Sequence, residues 1–300
     1  MLAKEICAVI VTYNRLNLLK ECLDAIAHNP EVKHVVIVNN NSSDGTEAFL
    51  AQLDPANYVV INSKANLGGA GGFARGMAEA YAQTDDSYFW IMDDDTIPQL
   101  NSAAALLAKA DLLEDQFGFL ASDVRWIDGR SSNMPGPAMS WPERIQEGLV
   151  AVTRGTFVSI LVTRQTVKKY GIPTKELFIW GDDTEYTTRI TQSLPSYFVI
   201  DSHVVHKSPS NLTDITLYND SADRLGRYYY LYRNLMYISK RYQGKGAASR
   251  LFVSQILMGI VALGRANDHR WKRFTTVIRG TFAGISFNPA IQRVDNQPTE

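Results

Sequence analysis

The stretch Tyr88-Phe89-Trp90-Ile91-Met92-Asp93-Asp94-Asp95 joins an apolar, aromatic run to three consecutive carboxylates. The run predicts a buried β-strand, and the aspartates lie at or just beyond its C-terminal end. Three adjacent carboxylates repel one another, so a fold that gathers them favours a bound cation. Because open α/β sheets bind ligands beyond the carboxyl ends of their strands, we expect a divalent metal and a phosphorylated substrate here. The alternative is a solvated acidic turn.

Strands and helices alternate through the first part of the 300-residue chain. This alternation predicts an α/β fold with a largely parallel sheet and right-handed crossovers. A glycine-rich loop at 68–72 is expected before the third helix, and His203 and His206 are expected to follow the last strand. The predicted strands are 6–11, 35–38, 58–61, 88–92, one or two within 149–162, and 197–200, and the predicted helices are 16–27, 45–53, 73–81, 98–115 and 164–170.

Residues 221–300 differ from the rest of the chain in charge and in pattern. They contain 13 Lys and Arg against 4 Asp and Glu, a net charge of +9, whereas residues 1–220 carry −10. Apolar residues recur at helical spacing over 228–238 and 251–263. We therefore expect an α/β domain over 1–220 and a basic, helical C-terminal extension over 221–300. The extension indicates an anionic partner such as a membrane surface, a phosphate-bearing lipid or a nucleic acid.

Cysteine content and apolar runs indicate the compartment. Cys7 and Cys22 are the only cysteines, and both fall in predicted buried elements, so a reducing environment fits. The N-terminus lacks the pattern of a signal peptide. The longest apolar run, 251–263, falls short of the roughly 20 residues that a membrane span needs. The sequence predicts a cytoplasmic protein, attached peripherally to the inner face of the membrane by its basic extension.

Polar or acidic side chains lie just past the ends of four predicted strands, the last of which is the apolar run 177–180. They lie in the segments 12–14, 39–44, 93–95 and 182–185. A doubly wound sheet brings such loops to one edge, so a single site that uses all four is the simplest account. In an extended segment Asp93 and Asp95 face one side and Asp94 the other.

Four sequence blocks resemble the signature blocks of family 2 glycosyltransferases. They are 9–15 (VIVTYNR), 38–46 (VNNNSSDGT), 66–72 (NLGGAGG) and 93–95 (DDD), within a resemblance that covers about residues 5–210. The resemblance implies the GT-A fold, a Rossmann-like mixed and mostly parallel sheet flanked by helices. It also implies a nucleotide-diphosphate sugar donor, a Mn²⁺ or Mg²⁺ ion and inversion at the anomeric carbon. Together with 180–186 (WGDDTEY) and His206, the triple aspartate is most similar to bacterial galactofuranosyltransferases, with rhamnosyltransferases close.

The resemblance also implies roles for the acidic residues. Asp95 would be the main metal ligand, with Asp93 and His206 beside it. Asp183 would be the general base that removes the acceptor proton, with Asp182 as the alternative base or as an acceptor ligand. Other readings stay open at this point: His206 as a surface or core histidine, and the two aspartates as capping acids of a helix.

Donor and acceptor residues follow from the same resemblance. Many relatives carry Asp where this chain has Asn39, which leaves the choice between uridine and thymidine nucleotides open. Arg75 is either a phosphate ligand or a surface residue, and Trp180 either stacks on a sugar or packs in the core. The residues implied for the nucleotide sugar are Thr12, Tyr13, Asn14, Arg15, Asn39, Asn66, Gly68, Gly69, Arg75, Asp93 and Asp94. The residues implied for the acceptor are Trp180, Asp182 and Gly155.

The predicted function is a metal-dependent, inverting glycosyltransferase. It would move galactofuranose from UDP-galactofuranose to a cell-surface glycan or a lipid-linked acceptor. Two alternatives are a rhamnosyltransferase that uses dTDP-rhamnose and a non-catalytic sugar- or nucleotide-binding module. No nucleic-acid partner is expected, and the oligomeric state stays open.

Overall fold

The computed structural model describes residues 4–211 and 215–294. Ten strands in these ranges form one mixed sheet. The strands are β1 (Ile6–Thr12), β2 (Val32–Asn39), β3 (Tyr58–Asn62), β4 (Tyr88–Asp93), β5 (Thr96–Pro98), β6 (Leu120–Trp126), β7 (Gly136–Pro137), β8 (Leu149–Arg154), β9 (Ile160–Thr163) and β10 (Ser196–His206). Their order is β3-β2-β1-β4-β9-β6-β10-β8-β7, and β5 pairs with β10.

Helices cover both faces of the sheet and form a separate layer at the C-terminal end of the chain. They are α1 (Leu16–Ala27), α2 (Thr46–Leu50), α3 (Gly68–Gln83), α4 (Ser102–Leu112), α5 (Arg164–Tyr170), α6 (Asp182–Thr191), α7 (Leu225–Ile238), α8 (Lys245–Arg265) and α9 (Arg270–Ser286). A turn of π-helix, Ser239–Gln243, joins α7 to the segment before α8.

The first four strands are parallel, and β1 and β4 among them are buried on both faces. β1 lies between β2 and β4, and every one of its residues is buried. Alternate side chains point to opposite faces, so Ile6, Ala8 and Ile10 join one core and Cys7 and Val9 join the other. This double burial explains why the strand is a continuous apolar run, and it sets the carboxyl ends of β1 and β4 side by side.

The glycine-rich segment differs from its prediction. Residues 68–72 are not a loop but the first turns of α3, which begins at Gly68. A Cβ at Gly72 would lie 2.5 Å from Cγ1 of Val11, and one at Gly76 would lie 2.7 Å from Cγ1 of Val9. The glycines therefore let α3 pack directly on β1.

The last strand is longer than predicted. β10 runs to His206, so His203 and His206 lie within the strand rather than after it. Its amino-terminal half pairs with β8 and its carboxyl half with β5, while β6 runs beside both halves with an irregular register between Val199 and His203. Because the strand changes its partner midway, its second half was not predicted from a simple alternation of residues. The sequence analysis also missed β6, whose carboxyl half contains Asp123 and Arg125.

Three helices, α7, α8 and α9, make up the described part of the C-terminal extension, and the third of them was not foreseen. One helix in the described ranges, α8, is long and apolar enough by length and composition to cross a membrane, with 22% of its most apolar window buried. This finding corrects the expectation drawn from the shorter run 251–263. Exposed apolar side chains of α8 include Val253, Leu257 and Ile260.

Candidate active site

Two adjoining cavities lie beyond the carboxyl ends of β1 and β4. Their volumes are about 870 and 950 Å³, and we call them the first and the second cavity. Arg15, Gly69 and Asp93 border both. Helix α7 closes both from the opposite side, where Arg227 also borders the two. The sheet and the C-terminal helices thus share one composite cleft.

A cluster of metal-ligand side chains lies at the border between the cavities. Asp93 ends β4, Asp95 follows it, and His206 ends β10. Their ligand atoms all lie within 4.8 Å of one another. Oδ1 of Asp95 is buried at an ion-pair distance of 3.2 Å from Nε2 of His206, and it has no hydrogen bond from the described residues. Two carboxylates and an imidazole that converge in this way fit a divalent metal such as Mn²⁺.

A contact behind the cluster orients His206. Its Nδ1 lies 3.1 Å from Oδ1 of Asn133, which leaves Nε2 directed at Asp95. The amide oxygen of Asn133 accepts a hydrogen bond and so favours the tautomer with a proton on Nδ1. His206 is buried, and Asn133 borders the second cavity. The sequence analysis did not identify Asn133, which lies near the segment of proline and glycine residues before β7 and carries no motif.

Asp94 faces away from the cluster, as alternation predicts. Oγ1 of Thr12 donates a hydrogen bond to Oδ2 of Asp94 at 2.7 Å. Nη1 of Arg15 lies 3.1 Å from Oδ1 of Asp94 and 2.6 Å from Oδ2 of Asp95. Arg15 therefore offsets part of the charge of the three aspartates and fixes the orientation of two of them.

The three carboxyls have different proton affinities. Burial, and then the charge of Asp95, raises the pKa of Asp93. Burial raises the pKa of Asp94 to about 6, although Arg15 opposes that shift. Burial also acts to raise the pKa of Asp95, but the contacts with His206 and Arg15 outweigh it and lower that pKa. Asp95 is thus the carboxylate that is most readily ionised for binding a cation.

Asparagine side chains build the far end of the first cavity. Nδ2 of Asn40 donates to Oδ1 of Asn66 and to the carbonyl of Gly68, both at 3.0 Å. Oδ1 of Asn40 accepts the backbone N–H of Leu67 at 2.8 Å. Asn40 and Asn66 both border the cavity. The sequence analysis named Asn66 but not Asn40, although Asn40 lies in the loop that it singled out.

The residues predicted for the nucleotide sugar fall into two groups. Those that border the first cavity are Tyr13, Asn14, Arg15, Asn66, Gly68, Gly69, Asp93 and Asp94. Thr12 and Asn39 are buried and border neither cavity. The amide of Asn39 is used internally, since it donates to Oδ1 of Asn62 at 2.8 Å and accepts from the N–H of Ser42 at 3.0 Å. Arg75 is exposed on α3 and also borders neither cavity.

The residues predicted for the acceptor are also divided. Trp180 and Asp182 border the second cavity, and Gly155 does not. Gly155 is buried, its N–H donates to Oγ1 of Thr187 at 3.1 Å, and a Cβ there would lie 2.9 Å from the ring of Phe119. Its position therefore serves the packing of α6 beside β8.

Residues 177–180 do not form the strand that the sequence analysis expected but belong to a loop before α6, and this loop has an unusual backbone. Phe178 and Trp180 have positive φ angles of 66° and 58°, and Gly181 has 91°. For residues with large side chains such angles cost of order 1–3 kcal/mol each, so the surroundings must hold them. Nδ2 of Asn234 in α7 lies 3.0, 3.3 and 2.7 Å from the carbonyl oxygens of Leu177, Ile179 and Trp180, respectively. Asn234 is fully buried, so this set of contacts is shielded from water.

The amino terminus of α3 holds the other side of the same loop. The N–H of Ala70 donates to the carbonyl of Phe178 at 3.1 Å. A Cβ at Gly68 would lie 2.1 Å from that carbonyl oxygen, and Gly68 itself has a φ of +71°. Only glycine fits at this position.

The held loop presents the acid pair, Asp182 and Asp183, in the first turn of α6. Both border the second cavity. Gly181 is the N-cap and no side chain caps the helix, so neither acid acts as the cap residue. Oδ1 of Asp183 accepts the N–H of Thr184 at 2.6 Å. Burial, and then the neighbouring carboxylate, raises the pKa of Asp182, and burial raises that of Asp183.

The sequence comparisons agree with this geometry. Residues 7–148 match the profile of the family described as Glycosyl transferase family 2.

Just under half of the chain therefore carries the sequence pattern of this family.

Its relatives include the galactofuranosyltransferase GlfT1 of Mycolicibacterium smegmatis. The two are 31% identical over 205 residues, which cover 63% of this chain and 66% of that protein, just under two thirds. GlfT1 of Mycobacterium tuberculosis is 28% identical over 255 residues, which cover 79% of this chain and 83% of that protein. The resemblance drawn from the sequence blocks, to family 2 glycosyltransferases and most of all to galactofuranosyltransferases, is confirmed.

Solved structures confirm the fold. The mannosyltransferase PcManGT of Pyrobaculum calidifontis, solved with GDP-Man and Mn²⁺, has a TM-score of 0.55 and 15% identity over 94% of this chain and 87% of that one. TarS of S. aureus has a TM-score of 0.57 and 16% identity. That match covers 86% of this chain and 43% of TarS, so the chain spans less than half of TarS. At such identities the likeness shows the GT-A fold alone, and that prediction is confirmed together with the C-terminal helices.

Two residues of helix α7 lie at the cleft. The sequence analysis had assigned them to no site. Asn234 holds the loop before the acid pair, and Arg227 borders both cavities. The signal was weak because the sequence of α7 is that of an amphipathic, tyrosine-rich helix with two arginine residues. Only the tertiary contact with residues 177–181 separates Asn234 from an ordinary polar residue of a helix.

Proposed function

We propose that this protein is a metal-dependent, inverting glycosyltransferase that uses a nucleotide-diphosphate sugar, with UDP-galactofuranose as the donor. The observation that carries the proposal is that the cluster Asp93–Asp95–His206 and the acid pair of α6 border the same second cavity. The relatives named galactofuranosyltransferase support the choice of sugar.

The donor is proposed to lie across the first cavity with its diphosphate at the metal cluster. Asp93, Asp95 and His206 would hold Mn²⁺ or Mg²⁺, and such an ion stabilises the negative charge that develops on the departing diphosphate. Tyr13 is 46% exposed at the cavity wall, where its ring is placed to contact the nucleobase. Arg15 keeps Asp94 and Asp95 in their orientation, so it supports the metal site from the side of α1.

The acceptor is proposed to enter through the second cavity. Inverting transfer needs one base that takes the proton of the acceptor hydroxyl as the oxygen attacks from the face opposite the leaving group. Asp183 is the proposed base, and Asp182 is proposed to orient the acceptor. Burial raises the pKa of Asp183 and so brings its proton affinity closer to that needed near neutral pH. Trp180 offers an aromatic surface for an acceptor sugar at the same wall.

The acceptor is further proposed to be a growing glycan on a lipid carrier. Helix α8 exposes Val253, Leu257 and Ile260, and basic residues flank it at Lys245 and Arg265. An apolar surface bordered by cations suits the inner leaflet of a membrane with anionic lipids. This placement would bring a lipid-linked acceptor close to the second cavity and gives the protein a peripheral, cytoplasmic location.

The alternative donor of this proposal is dTDP-rhamnose. Asn39, where the resemblance to family 2 glycosyltransferases implies a carboxylate in many members, has its amide bonded to Asn62 and Ser42 and borders neither cavity. This residue therefore does not distinguish a uridine from a thymidine nucleotide.

The test is a transfer assay with a panel of donors. UDP-galactofuranose, UDP-galactopyranose and dTDP-rhamnose are each incubated with a lipid-linked disaccharide acceptor, with Mn²⁺ and then with a chelator. We expect transfer from UDP-galactofuranose that the chelator stops. Transfer from dTDP-rhamnose alone would replace the donor and keep the mechanism. Binding of nucleotide without release of nucleotide diphosphate from any donor would indicate a non-catalytic binding module.

A further inference from the structure

We propose that Arg227 and Arg279, two cations of the C-terminal helices, bind the diphosphate of the donor. Arg227 lies in α7 and borders both cavities, and Arg279 lies in α9 and borders the first. The inference rests on the proposed function, because it takes the first cavity to be the donor site. It adds a phosphate-binding element from a part of the chain that lies outside the residues matched to the family profile.

A balance of charges carries the first step. Asp93, Asp94 and Asp95 contribute three negative charges at the border of the cavities, and Arg15 contributes one positive charge. A divalent ion on a neutral His206 brings this cluster to zero. The diphosphate of a nucleotide sugar then adds two negative charges, and the cluster leaves these uncompensated. Further cations are needed where the diphosphate lies, since unpaired charges in a partly desolvated cleft are costly.

Arg227 and Arg279 are the side chains that meet this need. Within residues 4–211 and 215–294, no hydrogen bond or ion pair engages either guanidinium group. Arg227 contacts the ring of Trp180, with its guanidinium carbon 6.0 Å from the ring centre. Both side chains are exposed to the cleft, and both can reorient. A guanidinium fork that is free of other partners matches a phosphate in two hydrogen bonds.

Neighbouring charges sharpen the assignment. Arg224, one turn before Arg227, lies at ion-pair distance from Asp220, with its Nε 3.6 Å from Oδ1 and without a hydrogen-bond partner among the described residues. Asp223 also borders both cavities and offsets one positive charge at the rim. Burial, and then the charges of Arg224 and Arg15, lowers the pKa of Arg227. The guanidinium therefore lies in a cationic neighbourhood that an anionic ligand would stabilise.

The position of Arg227 also fits the chemistry. A group that borders both cavities can follow the diphosphate as the glycosidic bond breaks and negative charge collects on the departing oxygen. Arg279 borders only the first cavity, so it is expected to contribute to binding more than to the step itself. This division predicts that Arg227 affects both donor affinity and turnover, whereas Arg279 affects mainly donor affinity.

The test measures binding by calorimetry in Mg²⁺ with two probes, UDP and inorganic pyrophosphate. Wild type is compared with Arg227→Gln, Arg279→Gln and the control Arg250→Gln, which removes an exposed charge from α8 away from both cavities. We expect at least a tenfold loss of affinity for both probes in Arg227→Gln and a smaller loss in Arg279→Gln. Arg250→Gln should bind as the wild type does. Arg227→Lys keeps the charge but not the fork, so it should lose less affinity than Arg227→Gln does, and melting temperatures identify any variant that fails to fold.

The outcomes separate this inference from the proposed function. Suppose that the wild type binds UDP and transfers sugar. Equal affinities in the wild type and all three glutamine variants would then overturn the role of the arginines, and the proposed function would be unaffected. Failure of the wild type to bind either probe would overturn the diphosphate site. If the wild type binds UDP but transfers no sugar, the proposed function is overturned. The arginine site is still supported in that case if only the Arg227 and Arg279 variants lose affinity.

Discussion

The metal cluster and the acid pair border one cavity, but different parts of the chain hold them. Asp93 and His206 end strands that have neighbours on both sides, so their positions follow from the register of the sheet. Asp182 and Asp183 follow a loop with positive φ angles, which Asn234 of α7 holds by hydrogen bonds. The strand ends that carry the metal cluster are held by the core, whereas the loop before the acid pair depends on hydrogen bonds from a side chain of α7. The position of the acid pair is therefore proposed to depend on α7.

The largest effect is expected from Asp95→Ala, which tests the metal cluster at the ends of the strands. The change removes the carboxylate with the lowered pKa and its contact with His206. We expect loss of Mn²⁺-dependent donor binding and a fall in transfer of about 10²–10³ or more. A Mn²⁺ titration by calorimetry, with Asp128→Ala on an exposed turn as the control, measures the effect. Unchanged Mn²⁺ affinity in Asp95→Ala would remove Asp95 from the metal site.

Asp183→Asn tests the acid pair, which follows the loop held by Asn234. The amide cannot take the acceptor proton, so transfer is expected to fall by about 10²–10⁴ while donor affinity stays close to that of the wild type. Single-turnover rates and UDP binding measured on the same preparation give the two values. Asp182→Asn is the matched comparison: a larger loss in that variant would move the base to Asp182. Normal turnover in both variants would place the base elsewhere.

Asn234→Ala distinguishes the contribution of the acid pair from that of the metal cluster. Losing hydrogen bonds to buried carbonyls costs about 1–3 kcal/mol of stability, and it frees the loop that carries the acid pair. We expect turnover to drop by about tenfold or more, with Mn²⁺ affinity unchanged because the metal ligands are held by the sheet. Asn57→Ala, an exposed asparagine, is the control. A parallel loss of Mn²⁺ affinity would show that the metal cluster and the acid pair are not independent.

The pH dependence of transfer reports on the acid pair. Burial raises the pKa of Asp183, so at acid pH this carboxyl is protonated and cannot accept the proton of the acceptor. The rate is expected to rise with pH beyond the range of an ordinary aspartate, about pH 4, and to level off once Asp183 is ionised. A pH profile at saturating donor and acceptor shows this limb, which Asp183→Asn should lack. A limb that persists unchanged in that variant would belong to another group.

The smallest effect is expected at the exposed face of α8. Leu257→Glu places a charge on an apolar surface that is 56% exposed at this residue. It should reduce sedimentation with vesicles that contain phosphatidylglycerol, because the proposed contact there is apolar. Transfer to a water-soluble acceptor should stay unchanged. Leu112→Glu, a similarly exposed leucine on α4, is the matched control, and equal sedimentation of both variants would argue against a membrane role for α8.

The sheet was predictable where burial imposes a simple pattern. Strands β1 and β4 are continuous apolar runs because both of their faces are covered, and the polar and acidic side chains at the carboxyl ends of the parallel strands follow from the topology. Helix α5 was predicted at its observed bounds, Arg164–Tyr170. Strand β6 was missed because Asp123 and Arg125 interrupt its apolar residues, and helix α9 was missed although its sequence is amphipathic. The start of α3 was missed because its glycines, which normally break helices, serve close packing here.

The site was predictable to the extent that its residues lie in motifs. Asp93, Asp95 and His206 were named from the resemblance, and the structure brings them together. Asn234 and Arg227 were missed as members of the cleft, since their roles come from contacts with residues far away along the chain. No local pattern distinguishes an asparagine that holds a distant loop from one that faces solvent.

The placement of Asn234 and Arg227 in α7 has a practical consequence for anyone who dissects this enzyme. A fragment that ends at residue 220 keeps every proposed metal ligand, yet it loses the side chain that stabilises the backbone of residues 177–181. A chimera that alters membrane attachment should therefore retain Leu225–Ile238 of α7 and, because of Arg279, Arg270–Ser286 of α9, and change only the exposed face of α8.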